Sequence, residues 1–309
     1  VRPRLTSKVR LLGRRILPVV FGTSLYQINL LIGTILATLV ADGAVSYLYY
    51  ADRVTQLPLG VVGVAVSTAL LPALSRQLAA GDDAAAASSQ NRGLEFALLL
   101  TLPAAAALLV IALPIVTMLF ERGAFGPAET RATADALMAY ATGLPAYVLI
   151  RVLTPGFFAR EDTSTPVRIA AAVMVLNIVL NLTLMQVWGH VGIALASSMA
   201  AWANAAALAV VLKRRGQLTI DDRLADRGPK IALASAGMTV GLFVGERLLV
   251  PACAGPCAAN IPSLAVLIIG SMVLYGGLAH ILGAARWSDL KALRWRGGEE
   301  VGGSLTTPK

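Results

Sequence analysis

Charge is scarce in this chain. Only 14% of its 309 residues are Asp, Glu, Lys or Arg, against about 25% in a soluble domain, so a water-exposed surface over the whole molecule is excluded. Two histidines and two cysteines leave no clustered metal or thiol chemistry. There is no serine nucleophile with an accompanying base and no glycine-rich phosphate loop behind a strand. Short segments of alternating hydrophobicity, the signature of a spanning β-barrel, are also missing. No short apolar region with a small-residue cleavage site follows the basic opening VRPRLTSKVRLLGRR. That opening reads like an internal loop, which leads us to expect a fragment.

What is present is apolar bulk: 57% hydrophobic residues and a mean hydropathy of +0.72. A bilayer core of roughly 30 Å takes about 20 such residues per helix. Eight runs qualify, near 17–40, 46–75, 94–120, 132–158, 166–188, 191–212, 231–250 and 262–283. The expected fold is therefore all-α, a polytopic transmembrane bundle. If the spans alternate, 21 of the 26 Lys and Arg fall on one side and 3 on the other. This bias places both ends in the cytoplasm and accounts for the net charge of +9 without nucleic acid. The divisions expected are a basic segment 1–16, six spans over 17–213, a charged cytoplasmic loop 214–230, a final pair over 231–284 and a tail 285–309. A further cytoplasmic loop is expected near 76–93. Cys253 and Cys257 fall on the opposite side, where either a disulfide or two thiols could exist. Asp221, Asp222 and Asp226 form a DDxxxD pattern read as solvated loop, because arginines interrupt it and no second acidic motif accompanies it.

Prolines punctuate most spans (Pro18, Pro58, Pro72, Pro103, Pro114, Pro145, Pro155), and each removes a backbone donor. Small-residue runs such as GVVGVAVSTA and ALASSMAAWANAAALA allow close helix approach. A charge at the bilayer centre costs from about 2.5 to over 10 kcal/mol, so intramembrane charges usually face a cavity. Arg53 shares a helical stripe with Tyr49, Gln56, Gly60, Gly63 and Ser67. Asp52 points away around the helix and can reach Gln56. A cavity role and an interface anchor both fit Arg53. The same two readings stand for Arg151, flanked by Tyr147 and Pro155. Asn177 and Asn181 lie one turn apart, with Ser197 and Ser198 in the next span. Bonds to neighbouring helices are the first expectation for them, as for Gln27 and Asn29, and a cation site is the alternative. His190 is expected in a solvated turn.

The strings SYLYYADRVTQLPLGVVGVAVSTALLPALSR, LFERGAF, AYVLIRVLTPGFFAREDTSTPVRIA and GHVGIALASSMAAWANA, in this order, resemble the MurJ (MviN) family of lipid II flippases. The family's fold has fourteen helices in two six-helix lobes plus a final pair. The resemblance implies that this chain corresponds to helices seven to fourteen, with the first lobe as its missing partner. It implies a transporter rather than an enzyme, in the bacterial inner membrane, moving undecaprenyl-diphosphate-linked peptidoglycan precursor by alternating access. The energy would come from the membrane potential or an ion gradient, with no cofactor. Arg53 matches a cavity arginine of substrate recognition, with Asp52, Tyr49, Gln56 and Arg151 as further candidates. Some members hold sodium through an acidic residue in the seventh helix. Here Gly33 stands where that side chain is expected, so Asn177, Asn181 and Ser197 are expected to hold no metal. The alternatives are an exporter of another lipid-linked oligosaccharide or a drug within the MOP superfamily, and a membrane-embedded prenyl or glycosyl transferase.

Overall fold

In hydrocarbon every backbone N–H and C=O must be satisfied within the segment, which leaves helices for runs this apolar. The computed structural model describes residues 27–249 and 261–284, with all their side chains except those of 61, 62, 64–68, 249 and 261. Among the described residues nine helices follow one another: α1 (Gln27–Val40), α2 (Ala44–Ala79), α3 (Asp83–Val110), α4 (Ala112–Phe120), α5 (Pro127–Ala141), α6 (Leu144–Phe158), α7 (Ser164–Arg214), α8 (Asp222–Leu249) and α9 (Ile261–Ile281). The basic segment 1–16, the tail beyond 284 and both cysteines lie outside the described residues.

Among the described residues, α3 and α4, like α5 and α6, are separated only by a short break, and α7 consists of two helices joined at a kink. The α3–α4 and α5–α6 spans break where Pro114 and Pro145 follow four residues behind Val110 and Ala141, the last residues of α3 and α5. A proline ring clashes with the carbonyl four residues earlier, so these breaks are written into the chain. Pro58, Pro72, Pro103 and Pro155 lie inside continuous helices. In α7 the chain reverses at Gly189, with φ 57° and ψ −131°, a conformation that favours glycine. The two halves then cross so closely that a Cβ on Gly192 would lie 2.2 Å from the Leu184 carbonyl oxygen.

Two boundaries differ from the sequence expectation. The loop expected near 76–93 shrinks to 80–82, because α2 runs to Ala79 and Asp82 caps α3 by accepting from the Ala85 N–H at 2.8 Å. The charged loop 214–230 is helical from Asp222 onward, since Asp221 accepts from the Leu224 N–H at 2.8 Å and starts α8 early. Polar first turns extend these helices beyond their apolar cores, and hydropathy alone does not register them. At the α6–α7 turn, which falls where the spans predict it, Asp162 accepts from Thr165 N (3.0 Å), Thr165 Oγ1 (2.6 Å) and Arg215 Nη1 (2.6 Å). The turn that starts α7 is thereby joined to the residue that follows its end. Burial alone would raise the Asp162 pKa, but these donors outweigh it and hold the carboxyl down at about 2.

Two of the interior's apolar clusters hold the α2–α7 helices together. One gathers Leu48, Leu108, Val116, Leu137, Leu144 and Ile193 from α2 to α7. The other gathers Leu74, Leu94, Val152, Phe157, Leu208 and Leu212 towards the opposite end of the bundle. Together they fix α2 against α5 and α6, and so fix the side chains that α2 presents outward.

Candidate functional site

The face of α2 begins with an aromatic cap. Tyr50 is anchored against Phe120 and Phe125, with ring centroids at 4.7 and 5.5 Å, which leaves its neighbour Tyr49 exposed. The Arg53 guanidinium lies 4.9 Å from the Tyr49 ring centroid, a cation–π arrangement. Its Nη1 donates to Gln56 Oε1 at 3.2 Å, and Gln56 Nε2 donates in turn to Asp52 Oδ2. Gln56 thus stands between the cation and the carboxylate. Asp52 is half-buried and Arg53 exposed, so the guanidinium keeps donors for a ligand while Asp52 orients the amide.

Further along the stripe Gly60 faces open space, and at Gly63 the structure brings in a residue that spacing could not place. A Cβ on Gly63 would sit 2.4 Å from Arg151 Nη1 and 2.7 Å from its Cδ. The Arg151 side chain of α6 therefore lies directly on the α2 backbone, in the room that glycine leaves. Arg53 and Arg151 share one face of α2, about 15 Å apart along its axis for ten residues of about 1.5 Å each. Tyr49, Gln56 and both arginines are brought together on this face; the Ser67 side chain lies outside those described. Two cations with Gly60 between them could hold a phosphate at one end through forked, charge-assisted bonds and further polar groups towards the other.

Other candidates fall differently. Asn177 and Asn181 are both buried, but Asn181 Nδ2 donates to Asn177 Oδ1 at 2.9 Å within α7 itself, which corrects the expected bonds to other helices. Ser197 Oγ bonds back to the Ile193 carbonyl at 3.1 Å. Among the described residues Asn181 Oδ1 is a buried acceptor without a partner, yet Gly33 offers no oxygen-bearing side chain. Two mutually bonded amides and a self-satisfied serine do not fit a hard cation that prefers charged oxygens. Gln27 is exposed, and Asn29 makes no side-chain hydrogen bond among the described residues. The interhelical tie comes instead from Ser198, whose Oγ donates to the Ala139 carbonyl at 2.8 Å beside Gly143. His190 is not a solvated turn residue: its Nε2 lies 2.9 Å from the Ala132 carbonyl and its ring meets Tyr47 edge-on at 5.5 Å.

The DDxxxD residues are solvated in part but do not form a loop: Asp222 and Asp226 are exposed on α8, and Asp221 immediately precedes it. Asp221 caps α8 and pairs with Arg92 of α3, and Asp226 pairs with Lys230 at 2.6 Å. Among the described residues no group of three or more His, Cys, Asp or Glu could hold a metal. Sequence reading missed Glu95, which is 7% exposed and meets Arg92, Arg223 and Arg227. Its signal was an acidic residue on the expected 94–120 span with two arginines one turn apart downstream.

The arrangement of helices is shared with solved transporters of the MOP superfamily. The chain is similar to an outward-facing multidrug resistance MATE family transporter of that superfamily, with a TM-score of 0.57 and 17% identity over 90% of this chain and 68% of that one. Within that class the chain belongs to the lipid II flippase MurJ family, whose model, described as "Lipid II flippase MurJ", matches residues 1–250. A solved lipid II flippase MurJ in an inward closed conformation is similar at a TM-score of 0.73 and 25% identity, covering 94% of this chain and 57% of that one. A probable lipid II flippase MurJ of Rhizobium meliloti is 46% identical over 298 residues, 96% of this chain and 56% of the relative. The Vibrio cholerae counterpart is 39% identical over 227 residues, 74% of this chain and 43% of the relative. The chain spans about half the length of the curated relatives it matches.

Proposed function

We propose that this chain is the second-lobe half of a lipid II flippase, a transporter and not an enzyme, working by alternating access in the bacterial cytoplasmic membrane. Its cargo is the polyprenyl-diphosphate-linked peptidoglycan precursor, and its partner is a first lobe of the same kind. The observation that carries this reading is the pair of guanidinium groups, Arg53 and Arg151, on the one polar and small-residue face of α2. A diphosphate supplies the anionic oxygens that such groups hold by forked bonds. Arg53 takes the diphosphate, Tyr49 and Gln56 fix its guanidinium, and Asp52 orients Gln56. Arg151 meets the more distant part of the headgroup.

The test is a chimera in which this chain replaces the matching part of the Rhizobium meliloti relative, in cells depleted of their own flippase. Arg53→Ala should abolish rescue at normal protein levels. Arg53→Lys keeps the charge, loses the fork and should rescue only weakly. Full rescue by Arg53→Ala would overturn the headgroup role.

The same fold serves exporters of other cargo, so a flipping assay offering lipid II beside other polyprenyl diphosphates and a cationic drug decides the substrate. Transport driven by the membrane potential or by an ion other than sodium goes with the poor cation fit at Asn177, Asn181 and Ser197. A transport rate unchanged when choline replaces sodium is the expected result, and sodium found at Asn177 would refute it. The transferase reading requires Asp221 or Asp222 to be essential with a divalent metal. Asp221 is engaged as a cap and an ion pair instead.

A further inference from the structure

We propose that Glu95 is a positioning residue: it locks the cytoplasmic end of α8 to α3, so that the α8–α9 pair travels with the six-helix lobe and no path for an apolar tail opens between α3 and α8. The proposal rests on the transport reading above, because a fixed pair matters only if the lobe moves.

Glu95 sits on α3 with both carboxylate oxygens engaged from three directions. Arg92, one turn earlier, holds Oε2. Arg223 of α8 spans both oxygens, Nε to Oε2 at 3.2 Å and Nη2 to Oε1 at 3.3 Å. Arg227, one turn further along α8 and 7% exposed, holds Oε1. Arg92 also pairs with Asp221, the residue that caps α8. The cluster is extended by Asn91 Nδ2, which donates to the Thr219 carbonyl at 2.7 Å. Every one of these contacts from α8 and its cap ends on one turn of α3.

Burying charges in this way is seldom more stabilising than packing apolar side chains of the same size. Stability is therefore a poor account of why this span carries Glu95. Directed bonds do what apolar contact does not: they fix register. Deeper in the bundle the α3–α8–α9 contact is apolar, with Ile231, Ala234 and Ala279 packed against Leu99 and Leu102, and Ile111 against Met238 and Leu242. Such surfaces can slide past one another at small cost. A further directed bond, Tyr275 Oη to the Leu99 carbonyl at 2.7 Å, ties α9 to α3. The ion cluster pins the cytoplasmic end, where a sliding α8 would otherwise part from α3.

The test uses the chimera on a background without other cysteines, with spin labels at Ser88→Cys and Ala225→Cys, both exposed positions. The distance between the labels should be single and narrow, and Glu95→Gln should broaden it, Glu95→Asp less. An unchanged distribution in Glu95→Gln would overturn the lock. Should Glu95→Gln fail to accumulate, Arg223→Gln removes the fork, leaves Arg92 and Arg227 in place and should broaden the distance to a lesser degree. For the role in transport, a short thiol cross-link between Asn91→Cys and Thr219→Cys should leave flipping intact and restore at least half of the activity lost in Glu95→Gln. A cross-link that stops flipping where the unlinked pair flips would show that α8 must leave α3, and would overturn the proposal. If the unmodified chimera flips no lipid II, the flippase reading fails and the label distances still decide the lock.

Discussion

Arg151 reaches the α2 face only because position 63 has no side chain. A methyl group on Gly63 would overlap the guanidinium and Cδ of Arg151, and the flexible side chain would move off the face. Gly63→Ala should therefore lower flipping to the level of Arg151→Ala, and the double variant should be no worse than either. The helix itself gains from alanine, by roughly 0.5–1 kcal/mol of backbone propensity. Thermal unfolding of Gly63→Ala should accordingly be unchanged or slightly raised while transport falls. A parallel loss of both would mean that Gly63 serves packing and not the placement of Arg151.

At the scale of elements, α8 and α9 are joined by a ladder. Gly237, Gly241 and Gly245 of α8 receive Leu278, Leu274 and Leu267 of α9, and added Cβ atoms would come within 2.8, 2.3 and 3.0 Å of those leucines. This is small-residue helix packing with a period of four. Gly241→Val should destabilise the pair by about 1–3 kcal/mol through overpacking, and Leu274→Ala should recover part of that, both read from thermal unfolding in detergent. The α6–α7 turn makes a different prediction. With its pKa lowered to about 2, Asp162 contributes stability that is fully present above the unfolded value of about 3.9. That contribution is lost as pH falls through the folded value. Between pH 5 and 2, about the interval these values span, melting temperature should fall less steeply in Asp162→Asn than in the unaltered chain.

For the whole molecule, the all-helical, multi-span character was legible because hydrocarbon imposes one simple rule on backbone groups and spans must be long. The Tyr49–Arg53–Gln56 group was legible because its members share one helix face at fixed spacing. Arg151 on Gly63, Ser198 on Ala139 and Glu95 with Arg227 were not, because each joins helices far apart in sequence and depends on how close their backbones come. The polar starts of α3 and α8 were missed because capping, not hydropathy, sets them. The placement of basic residues makes a prediction at this scale. A cysteine at Arg122, in the turn before α5, should react with an impermeant maleimide added outside the cell. One at Gln217, before α8, should react only after permeabilisation, and the reverse pattern would invert the assigned orientation.

The reversal of α7 at Gly189 separates places that tolerate added sequence from those that do not. The two halves meet backbone to backbone at Gly192 and Leu184 with no linker between them, so a peptide inserted at 189 must pry apart two crossing helices. The turn at 121–126 joins α4 to α5 with exposed residues at its tip and closes on itself through the Arg122–Phe125 bridge. An epitope tag belongs there, where it would leave the helix crossings as they are and, in the orientation that the basic residues predict, report the outer surface in living cells.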